Sequence, residues 1–130
     1  RDPELRKALH NPAYNMVAHP FATDSQNSNG WVLMVFAAAR SPGVNSVSAG
    51  VNWLKSEFYI GSSAEAGLIK RALADSLMPH MSTDGQPVTG IVTFNSGDSL
   101  LGFLSRYGKF RVECSHGSFG SAVCMVPLPE

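Results

Sequence analysis

Charge is what this sequence has least of. Charged residues make up 15% of its 130 residues, and ten Lys and Arg offset ten Asp and Glu to a formal net charge of +0. A balanced chain exerts no global pull on nucleic acid or on an acidic membrane surface, so no nucleic-acid partner is expected. Long apolar runs are missing too. The longest, residues 31–39, is about half the roughly 18–20 residues that a membrane-spanning helix needs. Cysteine is scarce: Cys114 and Cys124 belong to no CxxC pair and have only His116 as a nearby imidazole, which argues against a zinc site. No glycine-rich stretch has the spacing or the strand–helix context of a phosphate or dinucleotide loop. Neither a cofactor nor a metal is expected.

What is present is enough apolar material, 44% of residues, for one domain with a core over residues 1–130. The chain begins at Arg1 rather than methionine, so a proteolytic product or a processed chain is expected, either a single domain over 1–130 or the C-terminal part of a longer domain whose N-terminal strands precede it.

Residues 15–40 organise the rest. An extended, Pro-containing segment leads into the uncharged polar run Ser25-Gln26-Asn27-Ser28-Asn29, and that run into an apolar stretch from Trp31 to Ala39. Asp24, Ser25, Asn27 and Ser28 can all accept hydrogen bonds from the free N–H groups of a helix's first turn. Arg40 suits the carbonyl end, and Pro42-Gly43 stops the helix. The spacing predicts a buried helix over 28–40 with a dense polar cluster at its start. A shorter helix is expected over 2–10, where Asp2-Pro3-Glu4 supplies cap, first position and first-turn acid. Further helices are expected over 48–58, packing Val51, Trp53, Leu54 and Phe58, and over 65–77 and 98–107, with strands over 89–94, 110–114 and 122–126 and a turn from Gly61 through the following serines. Helices early and strands late make the class α+β, with helices packed on a small antiparallel sheet.

The polar cluster has two readings. Caps of an ordinary core helix account for all of it. Alternatively, Ser28 stands where backbone N–H groups and the helix dipole stabilise negative charge, the setting of an activated nucleophile. Gln26 and Asn29 would then hold the oxyanion. The base would come from His19, His10, His80 or His116, of which His19 is nearest in sequence. If the helix start opens a cleft, Thr23, Asn27, Asn29 and Trp31 are its binding residues. The two cysteines flank a Gly/Ser turn. With that turn centred on Phe119 they lie opposite each other, within reach of a disulfide, as in an oxidising compartment such as the periplasm. The alternative is two buried thiols in a cytoplasmic protein.

The stretch ALHNPAYNMVAHPFATDSQNSNGWVLMVFAAA resembles the C-terminal portion of a bacterial family of unknown function whose members are described as cell-envelope or exported proteins. Tyr14-Asn15-Met16, Pro20-Phe21, Thr23, Gln26-Asn27-Ser28-Asn29 and Trp31-Val32-Leu33 carry the resemblance, and the residues from Ile91 to Leu104 continue it. That family in turn looks like the permuted branch of the papain-like, NlpC-type hydrolases. The resemblance implies that architecture, an exported or periplasmic location, Ser28 in the nucleophile's place and Gln26 towards the oxyanion side. Two departures stand out. Serine replaces cysteine and ionises far less readily, and the early histidine strand is absent, as if supplied by a companion N-terminal chain. The resemblance therefore implies a catalytically silent or weakly active protein that binds a peptide, glycan or protein partner of the cell envelope. The alternative is an amide or ester hydrolase acting through Ser28.

Overall fold

Local signals build the first helices. The Asp2 carboxylate accepts from Glu4 N (2.9 Å) and Leu5 N (3.3 Å), Pro3 takes the first helical position, and Arg6 and Lys7 occupy the last turn of α1 (Pro3–Ala8). The structure, a computed structural model, describes residues 2–67, 70, 76, 78–108, 110–117 and 120–127, the last two stretches by backbone pairing alone. The chain divides into two compact units, Arg1–Leu100 and Leu101–Glu130. Its class is α+β.

In the first unit, α2 (Ser28–Arg40) runs over the expected residues and buries Gly30, Leu33, Met34 and Ala37, spaced as one helical face. The Ser46 hydroxyl accepts from Ala49 N and caps α3 (Val47–Ser56), which buries Gly50, Val51 and Leu54. The two helices pack together: Gly50 leaves room for the Met34 thioether, and the Phe36 ring meets Trp53 edge-on at 6.1 Å. Leu9, Leu33 and Leu54 are the largest fully buried side chains.

The end of α3 departs from expectation. Tyr59 N donates to Leu54 O and Phe58 N to Lys55 O, with Phe58 left-handed at φ 53°. That pair of bonds is a Schellman stop. It leaves Phe58 80% exposed instead of packed in the core.

Residues after Gly61 are not a turn. Ser62–Glu65 form β1, antiparallel to β2 (Ile91–Phe94), with Ser62 opposite Phe94 and Glu65 opposite Ile91. The sequence SSAE has little β-propensity, so its partner strand recruits it. Glu65 is therefore a strand residue rather than the start of a helix. Most of the helix expected over 65–77 lies outside the described residues, though Lys70 and Ser76 are helical. Close approach explains Gly61, where a Cβ would sit 2.8 Å from Phe94 O and against the Pro20 ring. Backbone cannot yield as a side-chain tip can. Gly61→Ala is expected to cost about 1–3 kcal/mol in chemical unfolding, and an unchanged midpoint would show that both the Pro20 segment and the Phe94 carbonyl give way freely.

Ser96 and Ser99 begin α4 (Gly97–Leu104) reciprocally: Ser99 N donates to Ser96 Oγ and Ser96 N to Ser99 Oγ, each at 3.1 Å. In the second unit the Phe103 ring contacts Tyr107 edge-on at 5.3 Å and carries the Arg106 guanidinium 5.2 Å from its centre. There β3 (Phe110–Gly117) and β4 (Gly120–Pro127) pair antiparallel and run longer than expected. Gly117 pairs with Gly120, which sets Cys114 opposite Val123 and Cys124 opposite Glu113. The cysteines are thus one position out of the mutual register that a turn centred on Phe119 would give. The expectation of a Cys114–Cys124 disulfide concerns side chains outside the description.

Loops in the first unit are held by buried amides. Asn15 Nδ2 donates to Ser82 O, while its Oδ1 accepts from Val17 N and Ser82 N. Gln86 Nε2 donates to Val17 O (2.8 Å) and Thr93 O (2.7 Å), and its Oε1 accepts from Thr93 N (3.0 Å). The Asn95 carboxamide oxygen accepts from the buried Tyr59 hydroxyl at 2.9 Å. Burial raises the Tyr59 pKa, partly offset by its hydrogen bond with Ser99, so the phenol stays protonated at neutral pH and can donate. Among the described residues no buried side-chain nitrogen or oxygen lacks a partner, as a loop-rich interior requires.

Candidate functional site

The start of α2 opens onto a cavity of about 330 Å³ lined by His10, Asn11, Tyr14, Gln26, Asn27, Ser28 and Trp31. Two stretches of chain, residues 10–14 and 26–31, meet there. A parallel bridge between Tyr14 and Gln26, with Gln26 N donating to Ala13 O and Asn15 N to Gln26 O, lays the 11–15 segment alongside the approach to α2. Leu9 N bonds to Leu5 O at the end of α1, and Leu9 O accepts from the Gln26 side chain, which brings His10 to the same rim.

The amides lining this cavity are committed to the fold. Gln26 is buried; its Oε1 accepts from Asn11 N (3.0 Å) and its Nε2 donates to Leu9 O (3.2 Å). Asn11 spans a turn, its Nδ2 donating to Thr23 O and its Oδ1 accepting from Ala13 N. Asn27, not Ser28, is the helix cap. Its backbone is extended (φ −99°, ψ 173°), and its Oδ1 accepts from Gly30 N at 2.8 Å. The same side chain donates to Met16 O (3.1 Å) and Asn95 O (2.9 Å). Asn29 Nδ2 joins it on Asn95 O at 3.0 Å. Gly30 is the point of contact, since a Cβ there would meet Asn95, Asn27 and Gln26 within 3.1–3.3 Å.

Other groups in the cavity are uncommitted. The imidazole of His10, the hydroxyls of Tyr14 and Ser28 and the indole N–H of Trp31 make no hydrogen bond to a described residue, and Ser28 is exposed at the first position of the helix. Ser28 and His10 share the cavity, but no hydrogen bond joins them. Tyr14 packs edge-on to His80 at 5.9 Å. The His80 backbone is left-handed (φ 63°), and its carbonyl accepts from Met16 N.

His19 is elsewhere. It lines a second cavity, of about 280 Å³, with Phe21, Ala22, Thr23, Asp24, Asp84 and Gly85. Thr23 lies there as well, so the structure brings neither residue to Ser28. The His19 Nδ1 accepts from Phe21 N at 3.3 Å, its ring meets Phe21 edge-on, and Lys55 lies over the Phe21 ring at 5.5 Å. Burial, and secondarily the Lys55 charge, hold the His19 pKa below the ordinary 6.5. The unfolded chain thus takes up this proton more readily than the folded one. The stability from neutral His19 is complete above that value and declines as pH falls below it. Urea midpoints measured from about pH 7.5 down to about pH 5 are expected to fall, and His19→Gln is expected to flatten that trend. An identical slope in the variant would sink the assignment.

His10 and Tyr14 are site residues that spacing did not single out above their neighbours. No local pattern marks them, because the Tyr14–Gln26 bridge is a pairing of two loops. Among the described residues no cluster of His, Cys, Asp and Glu could hold a metal ion, and no helix is long and apolar enough to cross a membrane. No curated protein and no solved structure matches the chain. Residues 1–104 match the model of a family described as an uncharacterized protein conserved in bacteria (DUF2145), and with most of its length inside that match the chain belongs to this bacterial family.

Proposed function

We propose that this protein is a catalytically silent or weakly active relative of the permuted papain-like, NlpC-type hydrolases. In this reading it is exported, and it binds a peptide, glycan or protein partner of the cell envelope in the cleft around Ser28. The observation that carries the reading is where the amides point. An oxyanion hole needs donors aimed at the substrate and free of other bonds. Gln26, Asn27 and Asn29 instead donate to Leu9, Met16 and Asn95 carbonyls. A serine nucleophile also needs a base within hydrogen-bond reach, and the exposed Ser28 hydroxyl bonds to no described residue. The architecture and the export rest on the sequence resemblance. Ser28 does sit at the first position of α2, where that resemblance puts the nucleophile.

Hydrolysis is the second reading, favoured by one fact: His10 lines the same cavity as Ser28. Substrate binding would then draw the two together, with His10 taking the Ser28 proton as Ser28 attacks an amide or ester carbonyl. A fluorophosphonate probe followed by intact-mass measurement separates the readings. We expect no adduct on the native protein, together with saturable binding of at least one cell-wall fragment in calorimetry, muropeptides and neutral glycan pieces being assayed alike. An adduct that is lost in Ser28→Ala and slowed in His10→Gln would establish the hydrolase and remove the silent-binder reading.

A further inference from the structure

The lining of the Ser28 cleft bears on which of the proposed ligands fits. Among the described residues it contains no Asp, Glu, Lys or Arg. A peptide with free termini, a phosphorylated group or an acidic sugar would bring a full charge into a site with no opposite charge to meet it. Losing water from such a charge without a partner is costly. Among the described residues of the lining, His10 alone is of a basic type.

The uncommitted groups are of one kind. Two hydroxyls (Tyr14, Ser28), an imidazole (His10) and an indole N–H (Trp31) are hydrogen-bonding groups with no carboxylate, ammonium or guanidinium among them, and Tyr14 and Trp31 carry large aromatic rings. Aromatic faces flanked by hydroxyl, amide and ring N–H groups match a pyranose ring, which presents C–H groups on its faces and hydroxyls around its edge. The amide groups nearby add rigidity, because each is fixed by bonds to backbone 11 to 68 residues away or across its own turn. Rigid aromatic surfaces lose little entropy on binding. A volume of about 330 Å³ is at the small end of ligand pockets, enough for a short saccharide and too little for a folded partner.

We infer that the cleft binds an uncharged saccharide, one ring resting on Trp31 and Tyr14 while Ser28 and His10 hydrogen-bond its hydroxyl or acetamido edge. This deepens the binding reading above and rests on it. The test is calorimetry and saturation-transfer NMR on the native protein, with neutral trisaccharides (N-acetylglucosamine trimer, maltotriose, cellotriose), trialanine, and a trimer of galacturonic acid as probes. At least one neutral trisaccharide is expected to saturate, with affinity about tenfold lower in Trp31→Ala. Tyr14→Phe, which removes one hydroxyl from a side chain that is 46% exposed, is expected to lower the affinity a few-fold without disturbing the fold. Val88→Ala, at a side chain that is 83% exposed and outside the cleft, should bind as the native protein does. Preference for trialanine or for the acidic trimer would overturn the assignment of an uncharged saccharide and leave the binding reading standing. Binding of no probe, the muropeptides included, would overturn both. Neutral-sugar binding unchanged in both cleft variants would place the site elsewhere and overturn this inference alone.

Discussion

Replacing Asn27 by Asp is expected to destabilise the protein by about 3–5 kcal/mol, although aspartate is among the best helix caps. A cap judged by its own helix would predict no loss or a small gain, because the dipole favours negative charge at the N-terminus. Asn27, however, uses both ends of its amide. Its oxygen accepts from Gly30 N, and its nitrogen donates to Met16 O and Asn95 O, all within 3.1 Å at a side chain that is 6% exposed. A carboxylate keeps the first bond and turns its second oxygen onto two carbonyl oxygens. Asn27→Ser keeps a cap acceptor without that charge, so it should cost less, about 1–2 kcal/mol. Acidification provides the internal check. The new carboxyl's pKa is raised in the folded state above its unfolded value near 3.9. Protonation therefore favours folding, and the variant's deficit should shrink as pH falls from neutral towards the unfolded pKa. Equal stability of Asn27→Asp and native protein in urea would mean that the bonds to Met16 and Asn95 contribute nothing.

The same residue shows how far the sequence could be read. That a helix starts near residue 28 was legible, since the polar run, the apolar stretch and Pro42-Gly43 are local signals acting within a few residues. The role of the polar run was legible in part, since Asn27 is one of the caps it predicts, but where its amide N–H groups go was not. Gln26 and Asn29 read as oxyanion donors and Asn27 as a cap or cleft residue, but their side-chain N–H groups reach the carbonyls of Leu9, Met16 and Asn95. Asn95 lies 68 residues from Asn27, and nothing in one sequence ties the two together. The strand Ser62–Glu65 was illegible for a related reason: its residues favour a turn, and only pairing with Ile91–Phe94 extends them. Phe58 read as core because it continued the apolar spacing of α3, whereas backbone bonds to Leu54 and Lys55 had already ended the helix.

The choice of histidine follows the same logic. His19 was nearest to Ser28 in sequence, but His19-Pro20-Phe21 turns back on itself, with Phe21 N held by the imidazole and Ala22 N by His19 O. His10 reaches the Ser28 cavity because Gln26 fastens the end of α1 to the approach of α2. One buried amide thus decides which imidazole shares the cleft. The residues first read as catalytic aids act as positioning residues for the groups that remain free.

Gln86 extends this logic to the sheet. Its side chain bonds both Thr93 N and Thr93 O, as a neighbouring strand would, and also donates to Val17 O. Because Thr93 directs its backbone groups to Gln86, its pairing with Ser63 is of the non-hydrogen-bonded kind, consistent with their hydroxyls lying 3.3 Å apart. One amide therefore finishes the far edge of β2, where unpaired backbone would otherwise invite association, and ties it to the segment that follows Tyr14. Gln86→Glu is expected to cost about 3–5 kcal/mol, since the carboxylate keeps Thr93 N but faces two carbonyl oxygens at a side chain that is 6% exposed. Gln86→Ala should cost about 1–3 kcal/mol by leaving Thr93 and Val17 groups without their partner. Amide exchange reads the cause directly: the Thr93 N–H, protected in the native protein by a side chain and not by a strand, should exchange faster in Gln86→Ala than its neighbours do. If Thr93 stays protected while stability falls, the loss comes from packing and the edge has another partner. If it loses protection and saccharide affinity falls with it, the edge of the sheet and the Tyr14 side of the cleft are coupled through this one side chain.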